Sequence, residues 1–261
     1  MTGRVIAKRD GAVGTIVFDS PEKRNAVSLE MWRAAEAALA DFAADPDVRV
    51  IVLTGAGDKA FVSGADISRF ESERASEEAV AEYNRVTERT YAALHDFPKP
   101  TIAGIRGACV GGGVNLAVCC DLRIAGESAR FAIPAARLGI GYGYGNVARL
   151  AGVIGAANAM EMLYTARSFD AAEALRMGLV NRLVPEDRLE SAVEEYATQI
   201  AENAPLTVAL VKAVTVELRK DPAGRDLERL ARMVDACAAS DDYVEGRRAF
   251  MEKRRPRFTG S

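Results

Sequence analysis

The sequence predicts a layered α/β fold that ends in an all-helical tail. Three observations lead there. Short apolar runs alternate with helical periodicity through the first two thirds of the 261 residues, the pattern of strands covered by helices. After Pro185 only helical segments follow, near residues 186–202, 206–219, 225–238 and 241–253. No Gly-x-Gly-x-x-Gly fingerprint follows the first strand, which argues against a dinucleotide-binding sheet.

The elements follow in order. Residues 5–8 and 13–18 read as short strands joined by a hairpin turn at Asp10-Gly11. Residues 20–25 form a polar loop, and Ser28 caps a helix over 29–43 with Glu30 in its first turn. Asp45-Pro46-Asp47 ends that helix, and residues 48–54 are a compact apolar run, as in a strand covered on both faces. A glycine turn at 55–58, the turn Ser63-Gly64-Ala65-Asp66-Ile67, a short helix and a longer helix over 77–94 come next. Residues 101–105 are a strand, followed by Gly111-Gly112-Gly113 and an apolar helix through Cys119. Residues 122–125 and 130–133 are further strands, a helix begins after Gly145, and 179–183 is the late strand. Residues 1–195 are expected to form the core and residues 196–261 the helical tail. A tail of ~65 residues cannot build a large core alone, so it packs on the body or on a neighbouring subunit.

Composition bounds the function. Hydrophobic residues make up 49% and charged residues 27%, as in soluble globular proteins. A net charge of −3 argues against a general nucleic-acid binder. Cys109, Cys119, Cys120 and Cys237 lack metal-ligand spacing and read as buried free thiols of a reducing compartment. No metal is expected. Met1-Thr2-Gly3-Arg4-Val5 carries no apolar signal core, and no run approaches the ~18 apolar residues of a membrane span. A cytoplasmic protein without membrane association is the expectation.

The chemistry centres on the two turns Ser63-Gly64-Ala65-Asp66-Ile67 and Gly111-Gly112-Gly113-Val114-Asn115-Leu116. Each opens a helix and exposes N–H groups that the first helical turn cannot use. Two such turns facing one point polarise a carbonyl oxygen and stabilise a thioester enolate. The first turn alone also fits an ordinary strand-to-helix connection. Three consecutive glycines lose ~0.5–1 kcal/mol each relative to alanine, which points to close backbone approach, to a ligand or to a packed strand.

Several segments together resemble the enoyl-CoA hydratase/isomerase (crotonase) family. They are Phe61 to Ile67, Lys99 to Gly107, Gly111-Gly112-Gly113, Cys120-Asp121-Leu122-Arg123-Ile124-Ala125, Phe131-Ala132-Ile133-Pro134, Ala174 to Leu183, and Glu245 to Arg254. The resemblance spans essentially the whole chain in order. It implies a crotonase-like spiral of ββα units and a C-terminal helical region for trimerisation, as a homotrimer or a dimer of trimers. It also implies acyl-CoA ligands, with coenzyme A as part of the substrate and no permanently bound cofactor. Matching positions place the oxyanion-hole amides at Ala65 and Gly112. Ala65, Asp66, Ile67 and Ser68 would line the adenine and pantetheine, and Arg24 would approach the coenzyme A phosphates. Phe250, Lys253 and Arg254 would reach the adenine and phosphate end, in an adjacent subunit. Lys253-Arg254-Arg255 also fits a solvated basic end.

The same resemblance exposes two departures. The family's hydratases carry one glutamate two positions after the triple glycine, where this chain has Asn115, and a second after the proline of F-x-x-P, where it has Ala135. Hydration needs a group that takes a proton from water and one that protonates the α-carbon. Asn115 orients a water but has no useful basicity, and Ala135 does neither. The loss of the second glutamate also removes the base of the family's isomerases.

Near the pocket this leaves Asp66, Arg137, Tyr142 and Tyr144, the two tyrosines set among glycines at 139–145. Tyr142 resembles the tyrosine of the family's decarboxylases of branched malonyl-type thioesters, although those carry a histidine where Ala65 stands. Both tyrosines also fit plain packing. The helix N-terminus lowers the Asp66 pKa, which opposes a role as base, and His95, the single histidine, belongs at a helix end. The expectation is an acyl-CoA enzyme, nominally an enoyl-CoA hydratase, that stabilises a thioester enolate without either glutamate. A decarboxylase, hydrolase or retro-Claisen enzyme using Tyr142, a non-catalytic acyl-CoA-binding protein, and a scaffold or RNA-associated relative are the alternatives.

Overall fold

The computed structural model describes residues 3–69, 73 and 75–261. β1 (Arg4–Asp10) and β2 (Val13–Asp19) form the hairpin, turning at Gly11 with φ +54°. Ser28 accepts from the Met31 N–H and starts α1 (Leu29–Ala44). β3 (Val50–Gly55) then pairs parallel with β2.

From there one unit repeats. A strand in a large sheet is followed by a short strand in a small sheet and then a helix. The three units are β3, β4 (Ala60–Val62) and α2 (Glu77–His95); β5 (Thr101–Ile105), β6 (Ala108–Val110) and α3 (Gly112–Cys119); and β7 (Leu122–Gly126), β8 (Arg130–Ala132) and α4 (Ala135–Leu138). α5 (Tyr144–Thr165) follows, kinked where Gly155 has φ +77°. β9 (Phe169–Asp170), α6 (Ala171–Arg176) and β10 (Arg182–Val184) complete the sheets. The large sheet runs β1-β2-β3-β5-β7-β10, and the small sheet β4-β6-β8-β9. Each unit steps along both sheets by one parallel strand, which winds the chain into a spiral.

β3 shows why its sequence is continuously apolar. Val50 and Val52 pack with Ile102, Ile124 and the helix α7 (Leu189–Glu202), whereas Ile51 and Leu53 face the main core of Trp32, Leu39, Phe61 and Leu94. Alternate residues thus meet different layers.

The expected boundary between residues 195 and 196 falls inside α7, whose Val193 and Ala197 are buried against the sheet. The late strand expected at 179–183 lies at Arg182–Val184 instead. Leu179 belongs to the turn closing α6, where its N–H donates to the Ala174 carbonyl. β4, β6 and β9 have two or three residues, too few to show a period. Ile67–Arg69 forms one 3-10 turn, and residues 70–72 and 74 of the short helix expected after it lie outside the described residues.

The tail comprises α8 (Pro205–Leu218), α9 (Leu227–Ala239) and α10 (Asp241–Met251). Lys212 of α8 is buried against both oxygens of Asp121, at 2.6 and 2.7 Å. Arg219 donates to the His95 ring, and Arg49 donates to the carbonyls of Ala201 and Phe258. α9 is amphipathic but has no buried residue, and Leu227 and Val234 stand exposed. Among the described residues no helix is long and apolar enough to cross a membrane.

Candidate functional site

The two glycine turns meet. The first is pinned along the loop that precedes α1. Ser63 N–H donates to Arg24 O, Val27 N–H to Gly64 O, and Asp66 N–H to Val27 O. The Ala65 N–H takes part in none of these bonds. Gly64 turns with φ +108°, a conformation that favours glycine.

The second turn is pinned at Gly111, with φ +54°. Its N–H donates to Ala132 O, and its carbonyl accepts from Val114 and Asn115. Gly112 opens α3, so helix geometry gives its N–H no acceptor within the helix. A Cβ on Gly64 would stand 4.0 Å from the Gly112 nitrogen, and one on Gly112 would stand 3.9 Å from Gly64 Cα. A Cβ on Gly113 would lie only 2.1 Å from the Val62 carbonyl oxygen. The triple glycine therefore answers both needs at once, a close strand contact and a turn laid against a turn.

Behind this junction lies a polar group on α2, α3 and α5. Asn115 is 2% exposed, and its Oδ1 has no hydrogen-bond partner. The Tyr142 hydroxyl is likewise buried and unpartnered. Burial pushes the Tyr142 pKa well up, while Arg149 and the nearby Asn115 side chain pull the other way. Tyr91 donates from its hydroxyl to Gly112 O at 3.2 Å, and burial pushes its pKa well up too. Both phenols are therefore neutral across the physiological range. Ala135 is half-buried at the start of α4 and packs against the core without offering a polar group.

One carboxylate approaches from a position that sequence reasoning does not single out. Glu88 of α2 grips Arg149 of α5 through two parallel bonds of 2.9 and 2.8 Å. Arg149 in turn lies 5.5 Å from the Tyr91 ring centroid. The bidentate clamp occupies both Glu88 oxygens. The partners are 61 residues apart, so no local pattern announces them.

The other predicted site residues divide. Asp66 binds Lys23 at 2.7 Å and Ser68 at 2.6 Å. Burial raises its pKa, but those bonds outweigh it and hold it below the usual carboxylate range. Lys23, rather than its neighbour Arg24, reaches this edge; Arg24 adopts φ +52° and is exposed. Ile67 and Ser68 are exposed beside it. Tyr144 starts α5 at 90% exposure, and Arg137 is also exposed. Phe250 and Lys253 sit at the end of α10, where Phe250 lines a hollow formed with α8 and α9 rather than the glycine turns. His95 closes α2 and meets Arg219. A cleft of ≈ 1150 Å³ opens between α5, α8 and the core, away from both turns. Cys109, Cys119 and Cys120 are buried, Cys237 is half-buried, and all four are free. Among the described residues no His, Cys, Asp and Glu cluster could hold a metal.

Comparison with known proteins gives the family. The family model described as enoyl-CoA hydratase/isomerase matches residues 8–261. A crotonyl-CoA hydratase of Syntrophomonas wolfei is 34% identical over 254 residues, 97% of each chain. A peroxisomal Delta(3,5)-Delta(2,4)-dienoyl-CoA isomerase of Arabidopsis thaliana is 35% identical over 260 residues, 95% of this chain and 93% of the other. The crystal structure of an enoyl-CoA hydratase/carnithine racemase from Magnetospirillum magneticum superposes with a TM-score of 0.92 at 36% identity, covering 100% of this chain and 97% of that one. The chain belongs to the enoyl-CoA hydratase/isomerase family and has the crotonase fold.

Proposed function

We propose that the protein is an acyl-CoA enzyme that holds a thioester oxygen between the N–H groups of Ala65 and Gly112 and works without the paired glutamates of a hydratase. The abutting glycine turns support this reading: a Cβ on Gly64 would stand 4.0 Å from the Gly112 nitrogen, and the turn bonds leave the N–H groups of Ala65 and Gly112 unused. Donors preorganised in this way stabilise charge as it develops on oxygen. Asp66, Ile67 and Ser68 follow the first turn and would line the coenzyme A path with Lys23 and Arg24. Phe250 and Lys253 would reach it from a neighbouring subunit, in a homotrimer or dimer of trimers that also covers the apolar face of α9.

The identities at positions 115 and 135 oppose two-carboxylate hydration, and the clamped Glu88 does not replace either group. The buried Tyr142 hydroxyl, beside Asn115, supports decarboxylation of a malonyl-type thioester. In that reaction the C–C bond electrons pass into the enolate as carbon dioxide leaves, the phenol O–H protonates the α-carbon, and the phenolate regains its proton from water. No strong base is needed.

The test is incubation with crotonyl-CoA, methylmalonyl-CoA and a longer enoyl-CoA, followed by absorbance and mass. Decarboxylation is expected, slowed at least about tenfold by Tyr142→Phe. Crotonyl-CoA hydration at ordinary family rates refutes the reading of Asn115 and Ala135. Tight binding without product over hours supports a non-catalytic acyl-CoA binder instead.

A further inference from the structure

We infer that Tyr91 is a positioning residue of the oxyanion turn, holding Gly112 through a phenol-to-carbonyl hydrogen bond braced by the Arg149–Glu88 pair. This rests on the proposed use of the Gly112 N–H. Three glycines in succession make a turn whose own side chains contribute nothing to its orientation. A Cβ on Gly111 would meet nothing within 4 Å. The peptide that carries the Gly112 N–H is held at its Gly111 carbonyl by Val114 and Asn115; the next peptide, whose oxygen is Gly112 O, takes a further hold from outside the turn, which fixes the glycine between the two planes.

Tyr91 is so placed. Its hydroxyl donates to Gly112 O, and a Cβ on Gly112 would lie 3.0 Å from that hydroxyl and 3.6 Å from Trp32 Cζ2. Tyr91 and Trp32 pack edge to face, with centroids 5.2 Å apart. The two rings form a floor under the glycine. Burial keeps Tyr91 protonated, so its bond to the carbonyl persists over the working pH range.

The floor is itself braced. Glu88 and Tyr91 are three residues apart, on one face of α2. Glu88 grips Arg149 while Tyr91 grips Gly112, and the Arg149 guanidinium stands over the Tyr91 ring. α2 thereby ties the start of α3 to the start of α5. A backbone donor works at full strength only when held in line with the charge it meets, so loosening it weakens polarisation without removing the ligand.

The experiment is isotope-edited infrared spectroscopy of butyryl-CoA, labelled at the thioester carbonyl, bound to the full-length protein. The wild type is expected to shift the carbonyl band to lower frequency. Tyr91→Phe keeps the ring on Trp32 and Arg149, and about a third or more of that shift is expected to disappear while affinity changes less than about threefold. A fluorotyrosine at position 91, near-isosteric and a stronger donor, is expected to retain or increase the shift. A full shift in Tyr91→Phe, or a reduced one with fluorotyrosine, overturns the role of Tyr91 alone. An unshifted band in the wild type overturns the oxyanion reading and this inference with it.

Discussion

Alanine at each of the three glycines should give three different proteins. Gly111 has φ +54° and ψ −110°, with open space where a Cβ would go. Alanine there is strained by conformation alone, about 1–3 kcal/mol. At Gly113 the new Cβ would sit 2.1 Å from the Val62 carbonyl oxygen. Backbone cannot swing aside as a side chain does, so α3 must separate from β4, at a cost of about 3 kcal/mol or more. At Gly112 the nearest atom is the Tyr91 hydroxyl at 3.0 Å, the tip of a side chain that yields by a few tenths of an ångström. Helix propensity returns about 0.5–1 kcal/mol, so the net change in stability is small. The function should suffer instead, because the shift separates the two turns and disturbs the Tyr91 bond. Polarisation or turnover should fall about tenfold or more.

Thermal melts at one protein concentration, with the carbonyl band of a bound thioester, separate the three. For a chain of this size about 3 kcal/mol lowers Tm by roughly 6–12 °C. Gly113→Ala should melt lowest, and Gly112→Ala should melt near the wild type with the weakest carbonyl shift. Gly112→Ala as the least stable, or Gly113→Ala as stable as wild type, would refute the packing on which the site is built.

Three further outcomes are expected. Asn115→Glu with Ala135→Glu should raise crotonyl-CoA hydration by about 10² or more over wild type, followed by absorbance; no gain would show that the acyl chain does not run between those positions. His95 has its pKa lowered, by burial first and then by Arg219. The unfolded chain therefore takes up this proton first: stability is full above ~6.5, falls as pH drops below it, and levels off below the folded value. His95→Gln should flatten that step in melts against pH, and an unchanged step removes His95 from it. Leu227→Glu with Val234→Glu should disperse oligomers in sedimentation by charging the exposed face of α9, whereas an undisturbed oligomer would place the interface elsewhere.

What was legible in the sequence was what short range encodes. The apolar run of β3, the Ser28 cap and the Gly11 hairpin are local, and each stands where its pattern put it. Asn115 and Ala135, where the resemblance expects glutamates, stand out because neighbouring motifs set the frame. β4 and β6 were not, since three residues carry no period and their pairing joins segments far apart. Lys23 carries no local signal beside the adjacent Arg24; its place at this edge comes from its bond to Asp66, 43 residues away. Tyr91 and Glu88 read as ordinary residues of an amphipathic helix. Their meaning depends on Gly112 and Arg149, which only the folded spiral brings alongside.

The charges that remain near the turns bear on the reaction itself. An enolate needs donors near its oxygen and no fixed anion beside it. Here Glu88 is bound by Arg149, and Asp66 by Lys23 and Ser68. Both phenols are neutral because burial raises their pKa values. On the proposed reading, the oxygen meets N–H dipoles, and among the described residues Glu88 and Asp66 are already engaged. A glutamate base would impose a falling limb on the pH profile of turnover near its own pKa, on the acid side. Without one, turnover of a malonyl-type thioester should stay level from about pH 5 to 9, since Asp66 is held charged and burial keeps both phenols neutral there. A limb near pH 5 that Glu88→Gln removes would identify Glu88 as a base and end the case for a site without carboxylate catalysis.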